Sequence, residues 1–280
     1  MTALATAACL EPITLEELVE RAALQTRIDR KYLVPPAAAE QLVAGLAGSA
    51  RVLEIGGRRG FGYTSLYFDT PELTSYHLAA RGRRRRFKVR RRTYTDTGQS
   101  FLEVKTRGGR GSTVKERTPD DDGGDLGLDP AGRRFVDEVL TRAGIGAVAG
   151  DLQPVLATGY QRTTLHLAAP DAAPDAAPDA APDAAADSRV TVDTDLTWAL
   201  PDGPQLALPG LAIVETKAGS TPSAADRWLW RHGHRPARVS KYGTGLAALH
   251  EHLPANTWHP VLRRHFAPHV PETLQERTAS

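Results

Sequence analysis

The chain has 280 residues, 41% of them hydrophobic, enough to bury a sizeable core in one large domain or two small ones. Its 35 basic and 33 acidic residues leave a net charge of +2, and its single cysteine, Cys9, excludes a disulfide framework. No run approaches the ~20 apolar residues of a membrane span, and the opening MTALATAACLEP lacks the basic start and long apolar run of a signal peptide. The expected setting is soluble and cytoplasmic.

In chain order, Thr14 with Glu16 and Glu17 and the stripe Leu15, Leu18, Val19, Ala22 predicts a capped amphipathic helix. A strand is expected from Arg27 to Val34, stopped by Pro35 and Pro36, and then a helix from Ala37 to Leu46. Tyr63 to Asp69 reads as an aromatic-rich strand closed by Thr70-Pro71, where a helix leads on to the basic segment. Strands are predicted over Arg86 to Arg92, Phe101 to Thr106 and Thr113 to Arg117, then a turn-rich loop from Asp120 to Gly127 and a helix from Pro130 to Ala143. Pro154 to Leu167 is a long strand, after which PDAA occurs four times in tandem from Pro170 to Ala185. That repeat offers nothing to pack and is read as a flexible insertion at 170–187. Strands at Arg189 to Asp195 and Leu211 to Lys217, a helix from Ser223 to Trp230 and a last helix through Leu246 and Leu249 follow, and little pattern remains beyond Pro254. Seven to nine strands with short helices between them predict an α+β fold dominated by antiparallel sheet.

The charge is unevenly placed. Arg81 to Arg117 carries fourteen lysines and arginines against three acids, a surplus of eleven that the remaining residues offset with about nine negative charges. Such a block suggests a disordered tail or a nucleic-acid patch, but here the cations alternate with apolar residues. Phe87 and Val89 interleave with Lys88, Arg90 and Arg92, and Leu102 and Val104 interleave with Glu103 and Lys105. Lys115 and Arg117 repeat the pattern more weakly. Lys88, Arg90, Arg92, Glu103, Lys105 and Lys115 are therefore expected on one shared face, with Phe87, Val89, Leu102 and Val104 packed on the other beneath helices. Cations on the inside of a barrel are intolerable unless a polyanion or metal fills it. Arginine forks and lysine point charges suit phosphate oxygens, and Glu103 and Glu215 are the carboxylates suited to hold a divalent ion.

Read in order, RKYLV at Arg30 to Val34, SLYFDTPEL at Ser65 to Leu73, FKVRRRTY at Phe87 to Tyr94, FLEVKTR at Phe101 to Arg107 and KERTP at Lys115 to Pro119 resemble one known family. GYQR at Gly159 to Arg162, RVTVDTDLTW at Arg189 to Trp198, VETKAG at Val214 to Gly219 and SKYGTGL at Ser240 to Leu246 complete the series. The family is the VTC-type polyphosphate polymerase domain of the triphosphate tunnel metalloenzyme (CYTH-like) superfamily. The resemblance implies an antiparallel β-barrel forming a tunnel with helices outside, over 27–253, preceded by an N-terminal helical segment at 1–26 and followed by a tail at 254–280. It implies ATP and polyphosphate as substrates and Mn²⁺ or Mg²⁺ as cofactor, with a membrane protein as a further candidate partner. A place at the inner face of the membrane would follow from such a partner, and nucleic acid is not an expected ligand. Carried over by position, Lys31, Arg90, Arg92, Lys105, Arg162, Arg189, Lys217 and Lys241 bind phosphate, Lys88 and Lys115 join them by alternation, and Glu215 is the metal ligand. Arg90, Arg92, Arg162 and Lys217 then carry the catalysis. Arg27 and Asp29 stand where the superfamily has two alternating glutamates before the first-strand lysine, which favours the polymerase branch over hydrolysis.

Plainer readings stand beside these. Arg83 to Arg86 also fits a solvated loop, Glu103 and Lys105 an ion pair, and Asp193 and Asp195 ordinary strand-end charges. His232, His234, His250, His252, His259, His265 and His269 fit no common zinc spacing and read as surface groups, and Trp228 and Trp230 as packing. A tunnel triphosphatase and a non-catalytic polyphosphate or RNA binder are the alternative functions.

Overall fold

A computed structural model describes residues 4–22, 28–108, 113–120, 126–146, 148–169, 187–250 and 252–267. Arg27, His269 and the whole PDAA repeat (170–185) lie outside the described residues. Within them the chain forms β1 (Glu11–Ile13), α1 (Leu15–Ala22), β2 (Ile28–Val34), α2 (Pro36–Gly45), β3 (Ala50–Leu53), β4 (Phe61–Asp69) and α3 (Thr74–Ala80). There follow β5 (Phe87–Tyr94), β6 (Ser100–Arg107), β7 (Thr113–Pro119), α4 (Pro130–Arg142), β8 (Gln153–Leu167), β9 (Ser188–Ala199) and β10 (Gln205–Leu208). The last elements are β11 (Ala212–Ala218), α5 (Ala224–Arg231), α6 (Lys241–Leu249) and α7 (His259–Val261), which runs into a π turn at Leu262–Phe266. None of the described helices is long and apolar enough to cross a membrane.

The α+β class and the predominantly antiparallel sheet with helices on its apolar face agree with the sequence. The short strands β1, β3 and β10 and the turns after Trp258 were not expected. Contacts divide the chain into two compact units, and the divisions that cut strands fall within β8 and β9 and after the first residue of β4.

The first unit comprises Met1–Phe61, Tyr160–Leu196 and Pro209–Ala237. Here β11 lies between β2 and β9, antiparallel to both, while β3 pairs with β8 and β1 runs parallel to β3. Period-two alternation sends Tyr32, Val34, Val190, Val192, Ala212 and Val214 to one face, where they form a core with Leu42, Val43, Trp228 and Leu229 of α2 and α5. Trp228 is thus a core residue, as expected. Asp226 fastens α5 to the strands. It closes a capping box with Ser223, accepts hydrogen bonds from Tyr32 Oη (2.7 Å) and Thr216 Oγ1 (2.6 Å), and is wholly buried. Burial, then the neighbouring Asp226, pushes the Tyr32 phenol well above its ordinary pKa.

The second unit comprises Gly62–Gly159, Thr197–Leu208 and Arg238–Ser280. β5 lies between β4 and β6, and β7 pairs with β6. Phe87, Val89, Leu102 and Val104 pack against Val136, Val139 and Leu140 of α4, which is the predicted apolar face. α4 begins where predicted because Asp129 accepts from the Gly132 amide at 2.6 Å and Pro130 follows it. Among the described residues β2 pairs only with β11 and β7 only with β6, so no backbone pairing closes the strand series into a ring.

Candidate functional site

In the second unit the face opposite the core is cationic, as the alternation predicts. Register places Lys88 opposite Lys105 and Lys105 opposite Lys115, a row of three lysines across β5, β6 and β7. The next row is Arg90, Glu103 and Arg117. On β4, Tyr67 lies opposite Arg90 and Ser65 opposite Arg92. Like charges set directly across a strand pair repel, and the structure answers with one carboxylate. Glu103 is 1% exposed, and its Oε2 accepts from Arg90 Nε at 2.8 Å and Nη2 at 2.5 Å while Oε1 accepts from Lys115 Nζ at 2.9 Å. Burial alone would raise its pKa, but the charges of Arg90, Arg92 and Lys115 outweigh that and hold the carboxyl well below the ordinary range. Among the described residues Lys105 makes no comparable ion pair. Burial and then Arg90, Lys88 and Arg92 push its ammonium well below the usual lysine pKa.

Lys88 is held from another side. Its Nζ donates to Ser240 Oγ at 3.0 Å and lies 5.9 Å and 5.4 Å from the ring centres of Tyr67 and Tyr242. Tyr242 Oη donates to Asp69, whose two oxygens also accept from the amides of Thr70, Ser75 and Tyr76. Burial nevertheless keeps the Asp69 pKa above its ordinary value. Ser240 caps α6, so Lys241 sits in its first turn, with its carbonyl accepting from Trp198 Nε1 at 2.8 Å.

In the first unit a second group forms on the face away from α2 and α5. Lys31, Glu215 and Thr191 form one cross-strand row, and Asp29, Lys217 and Arg189 the next. Lys217 Nζ lies 2.7 Å from Glu215 Oε1 and 3.0 Å from Asp29 Oδ2, while Lys31 Nζ approaches Glu215 Oε2 to 3.8 Å. Burial would raise the Glu215 pKa, but Lys31, Lys217 and Arg162 hold it well below the carboxylate range. Arg162 makes a two-pronged pair with Asp193, Nε to Oδ1 at 2.6 Å and Nη2 to Oδ2 at 2.8 Å. That pair fixes the plane of the guanidinium and gives Asp193 an ion-pair role.

A divalent ion bridging phosphates needs one or two protein carboxylates, the rest of its shell being phosphate and water. Glu215 fits, because among the described residues Oε2 is engaged only by an ammonium 3.8 Å away. Glu103 does not fit: both oxygens are already bonded to Arg90 and Lys115 in a buried pocket, so the metal-ligand expectation for it is replaced by an ion-pair role. Among the described residues no three His, Cys, Asp or Glu side chains stand together as a metal site, and the described histidines of the late cluster are exposed or half-buried. Asp69, Tyr67, Tyr242, Ser240 and Thr191 were not singled out in advance. Parity in β4 puts Ser65, Tyr67 and Asp69 on the Arg90 side, a signal the sequence did carry.

The VTC domain family model matches residues 26–173. No curated protein matches the chain by sequence. Among solved structures the chain is similar to a candidate adenylate cyclase from Bacillus halodurans, with 12% identity and a TM-score of 0.40 over 88% of this chain and 93% of that one. It is also similar to a candidate adenylyl cyclase from Hippeastrum described as having a dominant triphosphatase activity, with 14% identity and a TM-score of 0.45 over 83% of this chain and all of that one.

Proposed function

Because the chain belongs to the VTC domain family, we propose that it is a metal-dependent polyphosphate polymerase that transfers the γ-phosphate of ATP to a growing polyphosphate chain. On this reading 27–253 is the polymerase domain, flanked by 1–26 and 254–280. The observation that carries the reading is the row Lys88, Lys105 and Lys115 beside Arg90 and Arg92, a concentration of positive charge that Glu103 balances only in part and that a phosphate chain would complete.

The terminal phosphate oxygen of the chain attacks the γ-phosphorus of ATP in line, a P–O–P linkage forms as the bond to the β-phosphate oxygen breaks, and ADP leaves. A terminal phosphate is already largely ionised near pH 7, so no general base is required. The protein positions the reactants and neutralises charge. Arg90 and Arg92, and in the other unit Arg162, are assigned to phosphate oxygens as the groups that carry the transfer, and Lys217 to the incoming chain. Lys31, Lys88, Lys105, Lys115, Arg189 and Lys241 are assigned to phosphates along its length. A Mn²⁺ or Mg²⁺ ion held by Glu215 would neutralise phosphate charge there.

Purified protein incubated with ATP and Mn²⁺ should make chains that stain as polyphosphate, and Glu215→Ala should abolish them. Free phosphate without chains would mean a triphosphatase, and neither product a binding protein. Arg90→Ala is expected to lower kcat/KM by roughly 10²-fold, by analogy with lost oxyanion donors.

A further inference from the structure

Directly across the strand pair from Glu215 stands a buried hydroxyl with no hydrogen-bond partner among the described residues. Thr191 of β9 is in register with Glu215 of β11, so both side chains leave the sheet on the same face. Lys31 extends that row and Lys217 and Arg189 form the next. Thr191 is 4% exposed, and its Oγ1 has no hydrogen-bond partner among the described residues. Buried hydroxyls are almost always bonded, so an exception asks for an explanation. The one acceptor in these two rows beside Asp29 is Glu215, already engaged by Lys217 and Lys31. Asp193, two residues along the same face of β9, is held by both prongs of Arg162, and the remaining side chains of these rows are lysines and an arginine, which only donate. What the hydroxyl lacks is an acceptor, and a phosphate oxygen entering among these cations is one. Ser65 repeats the pattern in the other unit: it lies opposite Arg92, is 2% exposed, and its Oγ has no partner among the described residues.

We infer that Thr191 is a phosphate-binding residue whose hydroxyl donates to an oxygen of a bound phosphate chain beside Glu215. The inference rests on the phosphate-chain reading above and adds a neutral donor to a site otherwise recognised by charge. Its energetic signature separates it from a structural role. Thr191→Val removes a hydroxyl that is unbonded in the empty protein and bonded in the complex, so it should weaken binding without loosening the fold.

The probe is inorganic triphosphate, titrated calorimetrically into wild type, Thr191→Val and Thr191→Ser, once with chelator and once with Mn²⁺, alongside thermal melts of the empty proteins. Thr191→Val is expected to bind about tenfold more weakly in both series, as for one hydrogen bond to a charged acceptor. Thr191→Ser should stay near wild type, and empty Thr191→Val should melt at or above the wild-type temperature. Equal binding by wild type and Thr191→Val overturns the inference and leaves the phosphate-chain reading standing. A loss confined to the Mn²⁺ series also overturns it, because the hydroxyl would then serve a metal. A melt lowered by several degrees overturns it in favour of a structural role. Wild type that binds no triphosphate removes the phosphate-chain reading and this inference together.

Discussion

Glu103→Gln tests what the buried carboxylate does. The amide keeps the shape of the side chain but removes the negative charge that Arg90 and Lys115 share. Removing one member of a buried pair costs about 3 to 5 kcal/mol, and because Lys115 is 40% exposed on its side chain the loss should fall toward the lower figure. Urea unfolding of the variant checks this, and an unchanged midpoint would return Glu103 to the metal-ligand role. The alternation of Phe101 to Thr106 was enough to assign Glu103 to the cationic face. Its partner was not legible, because register is set by the turn between β5 and β6. There Gly98 adopts φ +70 and its amide bonds the Tyr94 carbonyl at 2.8 Å. Shift that turn by one residue and Glu103 no longer lies opposite Arg90.

At the scale of the element, α6 shows how glycine can serve packing. A Cβ on Gly243 would collide with the ring of Trp258, and one on Gly245 with the ring of Trp198. The two tryptophans thus lie flush on the helix that begins with Ser240 and Lys241. Gly245→Ala is expected to shift Trp198, disturb its bond to the Lys241 carbonyl, and lower stability by about 1 to 3 kcal/mol as overpacking does, read as a fall in melting temperature with a change in tryptophan fluorescence. Asp129→Ala should cost α4 about 1 kcal/mol through loss of its cap. The longer strands and α2, α4, α5 and α6 were legible because their periodicity runs for two turns or several pleats. β1 and β3 were not, because three and four residues carry too little alternation, and their existence depends on pairing with each other and with β8. The tail beyond Pro254 hid α7 for the same reason: Trp258 is buried against Gly243 of α6 and Phe266 against Trp198 of β9, partners the local pattern does not show.

For the whole molecule, charge dictates how stability follows pH. Glu103 and Glu215 have folded pKa values below their unfolded ones, so the stability they contribute is present above the unfolded value of about 4.3 and lost as pH falls through the folded values. Asp69, whose folded pKa is raised, acts in the opposite sense: its contribution favours the fold at low pH and is lost as pH rises through that value. Glu17 and Asp187 are lowered as well, so with four carboxylates against one among the described residues the melting temperature should fall as pH drops below about 4.3, and Glu103→Gln should flatten that fall in a calorimetric series. The lysine row on β5, β6 and β7 has one more consequence. Three lysines in register leave positive charge that Glu103 offsets only in part, so on the phosphate-chain reading the protein should scavenge polyanions during expression. Freshly purified protein should therefore carry phosphorus beyond its own composition, removable by washing at high salt, and a sample's phosphorus content becomes a direct measure of how much of it is truly empty.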